Sequence, residues 1–237
     1  MLENNLAFTP AYELQRLVRD KAVSPVELTE LFLQRIERIN PNLNAYLTVA
    51  SDQAITSARE AEAAVLKGDA NLGPLHGVPI AIKDLVATKG IRTTRGSLLF
   101  KNFIPDEDEV VARRIREAGA INLGKTNTPE FGHLGTSENR LGDFCRNPWD
   151  VTRTSGGSSA GAAAGLVAGL HPLAQGGDGG GSIRIPASMC GAYGIKPTQG
   201  RVPKPYKSPG GWAMFSQNGP ISHTVRDAAI LLQVLAG

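Results

Sequence analysis

The constraint that bears hardest on this chain is where its glycines fall. None precedes Gly68, and 13 of the 27 lie between Gly156 and Gly200. They sit among apolar residues, not in polar tracts, which excludes low-complexity disorder. They follow no three-residue period, which excludes a collagen-like helix. Their remaining use is local: turns with positive φ, and places where two backbones come close.

The rest of the chain supplies ordinary elements around those turns. Leu14, Leu17 and Val18 are spaced for a helix over 10–21. Ser24-Pro25-Val26-Glu27 forms a capping box with proline at the first helical position, opening a helix to about Ile39 that Asn40-Pro41-Asn42 stops. A short strand is predicted at 45–50 and a third helix at 52–66, closed by Gly68. Val78–Lys83 is an apolar strand ending in lysine. A helix at 108–118, a strand at 121–125, a small-residue helix at 159–170, a strand at 172–176 and a helix at 225–235 capped by Thr224 follow. Helices alternating with apolar strands predict an α/β fold, layered α/β/α with a central mixed sheet. Residues 1–70 are expected to be a helical N-terminal region that forms one domain with an α/β core over 71–237.

Charge and cysteine content narrow the function. A net charge of +3 is too small to argue for nucleic acid, and Arg113, Arg114 and Arg116 lie on one helical pattern as a solvated face. Cys145 and Cys190 lack the spacing of a disulfide framework or of metal ligands. No metal or cofactor is expected, and reduced thiols suit a cytoplasmic protein. The N-terminus shows no apolar signal core, and Ala160–Leu170 is too short to span a bilayer, so no membrane association is expected.

Three motifs compete for the chemistry. Gly119 to Thr126 matches the phosphate-loop pattern GxxxxGK[ST]. That loop needs a strand before its first glycine and a helix at its lysine, whereas here a helix precedes Gly119 and apolar strand residues fill the supposed loop. Gly157-Ser158-Ser159-Ala160-Gly161 matches GxSxG, which would make Ser159 a nucleophile with Asp178, Asp227, His171 and His223 as candidate partners. The preceding DVTRTSG is not the buried strand such an elbow requires, but the reading stays open at this point. The third candidate is the glycine cluster itself, which places Ser158 and Ser182 after glycines, 24 residues apart. Consecutive glycines let backbone N–H groups converge on one point, as an oxyanion site demands. Lys83, at the end of an apolar strand, could lose its charge through desolvation and act as a general base.

The stretch GGSSAGAAAGLVAGLHPLAQGGDGGGSIRIPA, with LHGVPIAIKDLVATKGIRTTRGS, GAINLGKTNTPEFG and GPISHTVRDAA in order around it, resembles the amidase signature family. The phosphate-loop look-alike falls inside one of these segments. The resemblance implies a serine–serine–lysine triad with Ser182 as nucleophile, Ser158 as bridging serine after a cis Gly157–Ser158 bond, and Lys83 as base. It implies an oxyanion hole from the N–H groups of Gly179, Gly180, Gly181 and Ser182. Asp178 and Arg184 are read as charges that fix the turn, and Ser155 and Ser159 as supporting donors. Gly179 and Ala160 depart from the residues usual at those positions. The implied activity is hydrolysis of a small-molecule carboxylic amide through an acyl-enzyme. The alternatives are the glutaminase subunit of a tRNA-dependent amidotransferase and an inactive fragment. Family members run to about twice this length, so the chain is expected to be the catalytic half of a larger enzyme; a homodimer is a family expectation.

Overall fold

The computed structural model describes residues 6–204 and 214–237. The chain opens with helices α1 (Ala11–Arg19) and α2 (Pro25–Leu43). The Ser24 hydroxyl accepts from the N–H groups of Val26 and Glu27, and Glu27 returns the bond, completing the capping box. One expectation fails here: α2 does not stop before Pro41 but runs through it to Leu43. Proline in a last turn forfeits only one bond, and two others close the end. Asn44, in the left-handed conformation, donates its N–H to Asn40 O (2.7 Å), and the Asn40 side chain accepts from Tyr46 N (2.8 Å).

Strand β1 (Tyr46–Val49) and helix α3 (Ser51–Lys67) follow, the latter closed by Gly68 at φ 74°. Next come β2 (Pro79–Lys83), α4 (Val110–Glu117) and β3 (Ile121–Thr126). A two-stranded hairpin of β4 (Arg146–Asn147) and β5 (Asp150–Thr154) precedes α5 (Ala160–Val167) and β6 (Leu173–Asp178). The described chain ends with α6 (Arg184–Cys190), β7 (Tyr193–Gly194), β8 (Gln217–Ser222) and α7 (Val225–Ala236). The main sheet has the order β1-β3-β2-β6-β8-β7 and is mixed: β3, β2 and β6 run parallel, and β1, β8 and β7 pair antiparallel. Among the described residues, no helix is long and apolar enough to cross a membrane.

The pleat of β2 divides the core into two layers. Ile80 and Ile82 join Val111 and Ile115 of α4 and Leu231 and Leu235 of α7 on one face. Ala81 faces the other way with Leu123, Ala174, the alanines of α5, and Leu28 and Phe32 of α2. Lys83, in phase with Ala81, therefore enters the α5 layer. Small residues let α5 lie almost on the sheet's edge loops: a Cβ on Gly161 would stand 1.9 Å from the Ala45 carbonyl oxygen.

Candidate active site

Three segments converge where β2 and β6 end beside the start of α5. Lys83 closes β2 with 1% exposure, and its backbone N–H donates to the Gln175 side chain (3.1 Å). Its Nζ lies 2.6 Å from Ser158 Oγ, 3.0 Å from Ser159 Oγ and 3.3 Å from Gly177 O. Burial brings the Lys83 pKa down to about 7; Asp178 opposes the drop and Lys204 adds to it. With two hydroxyls and a carbonyl as partners, the site accommodates a neutral amine at physiological pH.

Ser158 follows a cis Gly157–Ser158 peptide bond and is buried. Only glycine fits before it, because a Cβ on Gly157 would lie 1.8 Å from the Thr136 carbonyl oxygen. Ser159 ties the two glycine turns together. Its N–H donates to Ser182 O (3.0 Å), its hydroxyl donates to Gly177 O (3.2 Å), and Gly177 N–H donates back to it (3.1 Å). Ser182 shares with Lys83 and Ser158 a cavity of about 210 Å³, walled by Leu85, Ile185 and the Phe131–Gly135 turn. Among the described residues the Ser182 hydroxyl makes no hydrogen bond, so it meets the cavity free.

The glycine turn is organised by one buried carboxylate. Asp178 Oδ1 accepts from Gly181 N–H (2.8 Å) and Oδ2 from Ile183 N–H (3.1 Å), while Arg184 grips both oxygens at 3.0 Å. Burial alone would push this carboxyl up, but the Arg184 guanidinium and the converging N–H groups outweigh it and hold it below its ordinary value. The pairing corrects one expectation. The Gly181 N–H points back to Asp178 because a buried carboxylate must be satisfied, which leaves those of Gly179, Gly180 and Ser182 without partners among the described residues. The Ser155 hydroxyl lies outside the cavity lining and donates to Cys145 O (3.1 Å), closing the base of the β4–β5 hairpin.

The rival motifs dissolve in the fold. Gly124, Lys125 and Thr126 lie inside β3, with Lys125 buried and its Nζ bonded to Val86 O, Thr88 Oγ1 and Thr93 Oγ1. His171 spends both ring nitrogens on Tyr46 Oη (2.7 Å) and Ala162 O (2.9 Å). His223 packs edge-on against Phe8, and Asp227 accepts from Thr224 and Tyr12 N–H. Ser159 thus meets a lysine, not a histidine. Two participants escaped the sequence reading: Gln175, which anchors the Lys83 backbone, and the Phe131–Gly135 turn over the cavity. The only cue to the latter was that its first two residues, Phe131 and Gly132, close the segment GAINLGKTNTPEFG.

Residues 27–237 match the amidase family model. The chain is 46% identical over 225 residues to a glutamyl-tRNA(Gln) amidotransferase subunit of Coxiella burnetii (strain RSA 493 / Nine Mile phase I), covering 95% of this chain and 46% of that one. It is 42% identical over 237 residues to the acylamidase of Rhodococcus erythropolis, covering all of this chain and 49% of that one. Among solved structures, a bacterial aryl acylamidase of the amidase signature enzymes superposes with a TM-score of 0.90 at 38% identity, covering 96% of this chain and 47% of that one. The chain spans about half the length of the curated relatives it matches. Family match and shared fold extend over nearly every residue described above, and on that ground the chain belongs to the amidase signature family.

Proposed function

We propose that this chain carries the catalytic machinery of an amide hydrolase acting on a small carboxylic amide, not on the peptide bonds of proteins. The observation that carries the reading is the desolvated Lys83 amine 2.6 Å from Ser158 Oγ, in one cavity with the Ser182 hydroxyl. Neutral Lys83 takes the Ser158 proton as Ser158 takes that of Ser182, and Ser182 Oγ attacks the carbonyl carbon. Before that attack, substrate binding closes the gap between the two serines, since catalytic hydrogen bonds tighten in the Michaelis complex. The developing oxyanion is received by the N–H groups of Gly179, Gly180 and Ser182. Asp178 and Arg184 hold the turn in shape and take no part in proton transfer. Collapse expels the amine, which receives the proton from Lys83 through Ser158, and water then hydrolyses the acyl-enzyme by the same relay.

A fluorophosphonate probe followed by peptide mapping tests the assignment on this chain and on a longer protein containing it. Labelling at Ser182 that vanishes in Ser182→Ala supports it; labelling elsewhere, or undiminished in that variant, overturns it. A second reading, the glutaminase subunit of a tRNA-dependent amidotransferase, is favoured by the 46% identity to a glutamyl-tRNA(Gln) amidotransferase component. Glutamine turnover that appears only with partner subunits supports that reading. Turnover of simple aliphatic or aryl amides without partners supports the first.

A further inference from the structure

On the opposite face of the sheet from Lys83 lies a second cavity, of about 370 Å³, within the range of small-ligand sites. Its floor is apolar, built from Ile82 of β2, Ile91, and Ala112 and Ile115 of α4. Its walls are fastened rather than loosely packed. Ala87 N–H donates to Glu109 Oε1 (3.0 Å), Glu109 N–H returns to Ala87 O (2.9 Å), and Lys89 N–H donates to Asp108 Oδ1 (2.8 Å). Across the mouth, Gln53 of α3 donates to Gly90 O (2.8 Å).

The rim is cationic with donors to spare. Arg116 uses Nε on Asp108 (3.0 Å), and among the described residues its two Nη groups and the Lys89 ammonium have no hydrogen-bond partner. Of the side chains that line the cavity, the cations Lys89 and Arg116 face the single carboxylate Asp108, since Glu109 lies behind the lining, and the lining carries an excess positive charge over an apolar floor.

We propose that this cavity binds a small monocarboxylate with a compact apolar body, the body on Ile82, Ala112 and Ile115 and the carboxylate between Lys89 and Arg116. This site stands apart from the Lys83 cavity and does not depend on the amidase reading. Ile82 and Lys83 are consecutive in β2 and point to opposite faces, so the two cavities share a strand but no lining side chain.

Calorimetric titration of the chain with cyclohexanecarboxylate, and with neutral cyclohexanemethanol as control, tests the proposal. The acid is expected to bind at least about tenfold more tightly than the alcohol. That preference is expected to disappear in the Lys89→Gln/Arg116→Gln double variant, since the rim charges account for it. Ser57→Trp, an exposed change at the mouth, is expected to abolish binding of both. Lys83→Met is expected to leave the acid's affinity within about twofold, well inside a tenfold step. Circular dichroism confirms folding of each variant, and the surface double variant decides the matter if Ser57→Trp fails to fold. Absence of binding at millimolar acid, equal affinity for acid and alcohol, or binding lost in Lys83→Met but kept in the rim variant, overturns it.

Discussion

The Lys83 amine lies 2.6 Å from the Ser158 hydroxyl, and among the described residues no carboxylate pairs with it. A lysine so placed is depressed to about 7, so its base form dominates above that pH. Fluorophosphonate labelling of Ser182 is expected to rise through about pH 7 and then level off. Lys83→Ala should slow it by about 10²–10⁴-fold and remove the inflection. A wild-type profile flat from pH 5 to 9 contradicts the assignment.

The same shift has a stability consequence. The unfolded chain holds the Lys83 proton up to about its ordinary value of 10.5 and the folded chain only to about 7. The unfolded state therefore binds more protons between those values, and folding stability rises with pH across that window. Lys83→Met removes this dependence. Its melting temperature relative to the parent should be highest below pH 7 and should fall towards pH 10.5. A pH-independent difference would show that the buried amine is not the titrating group.

Ser182 and Ser158 should separate catalysis from folding. Ser182→Ala removes a hydroxyl without a bonded partner among the described residues and should abolish labelling while leaving the urea midpoint unchanged. Ser158→Ala removes the Lys83 partner at 2.6 Å and should cut labelling by about 10²–10⁴-fold. A large midpoint shift in Ser182→Ala would mean that its hydroxyl is structural.

Asp178 is buried while the Arg184 side chain is 56% exposed, so the two ends of their pair should differ. Asp178→Ala strands several N–H groups inside the turn and should cost about 3 kcal/mol in urea unfolding. Arg184→Ala, its charge largely screened by water, should cost about 1 kcal/mol. Because the Asp178 carboxyl lies below its ordinary value of 3.8, its contribution is complete above that pH and is lost as pH falls through the lower, folded value. Equal costs for both variants at pH 7 would contradict this division.

Two glycines give a paired control. A Cβ on Gly161 would meet the Ala45 carbonyl oxygen at 1.9 Å, whereas one on Gly180 meets nothing within 4 Å. Gly161→Ala should destabilise by about 3 kcal/mol or more, and Gly180→Ala by less than about 0.5 kcal/mol. Thermal unfolding of the pair reads the contrast directly.

Much of this was legible from residue order alone. Alternating apolar segments located β2, β3, β6 and the long helices, and the family-like motifs singled out Lys83, Ser158 and Ser182, which the fold gathers in one cavity. What escaped depends on distant partners. Strand β8, with the sequence QNGPIS, has no alternation and is a strand because β6 pairs with it over six residues. Helix α6 contains Pro186 and packs on α5. The engagement of the Gly181 N–H by Asp178 could not be read either, since glycine spacing does not reveal which way an amide points.

The placement of Lys83 directly after Ile82 has an error-checking effect. If β2 slipped one residue against β6, Ile82 would turn towards the serines and the lysine would enter the hydrocarbon layer under α4 and α7. The chain cannot complete that layer with the Lys83 amine facing the wrong side. Burial of Ile80 and Ile82 therefore proofreads the Lys83 cavity: the free energy that condenses the core rejects the arrangements in which the amine is turned away from the serines.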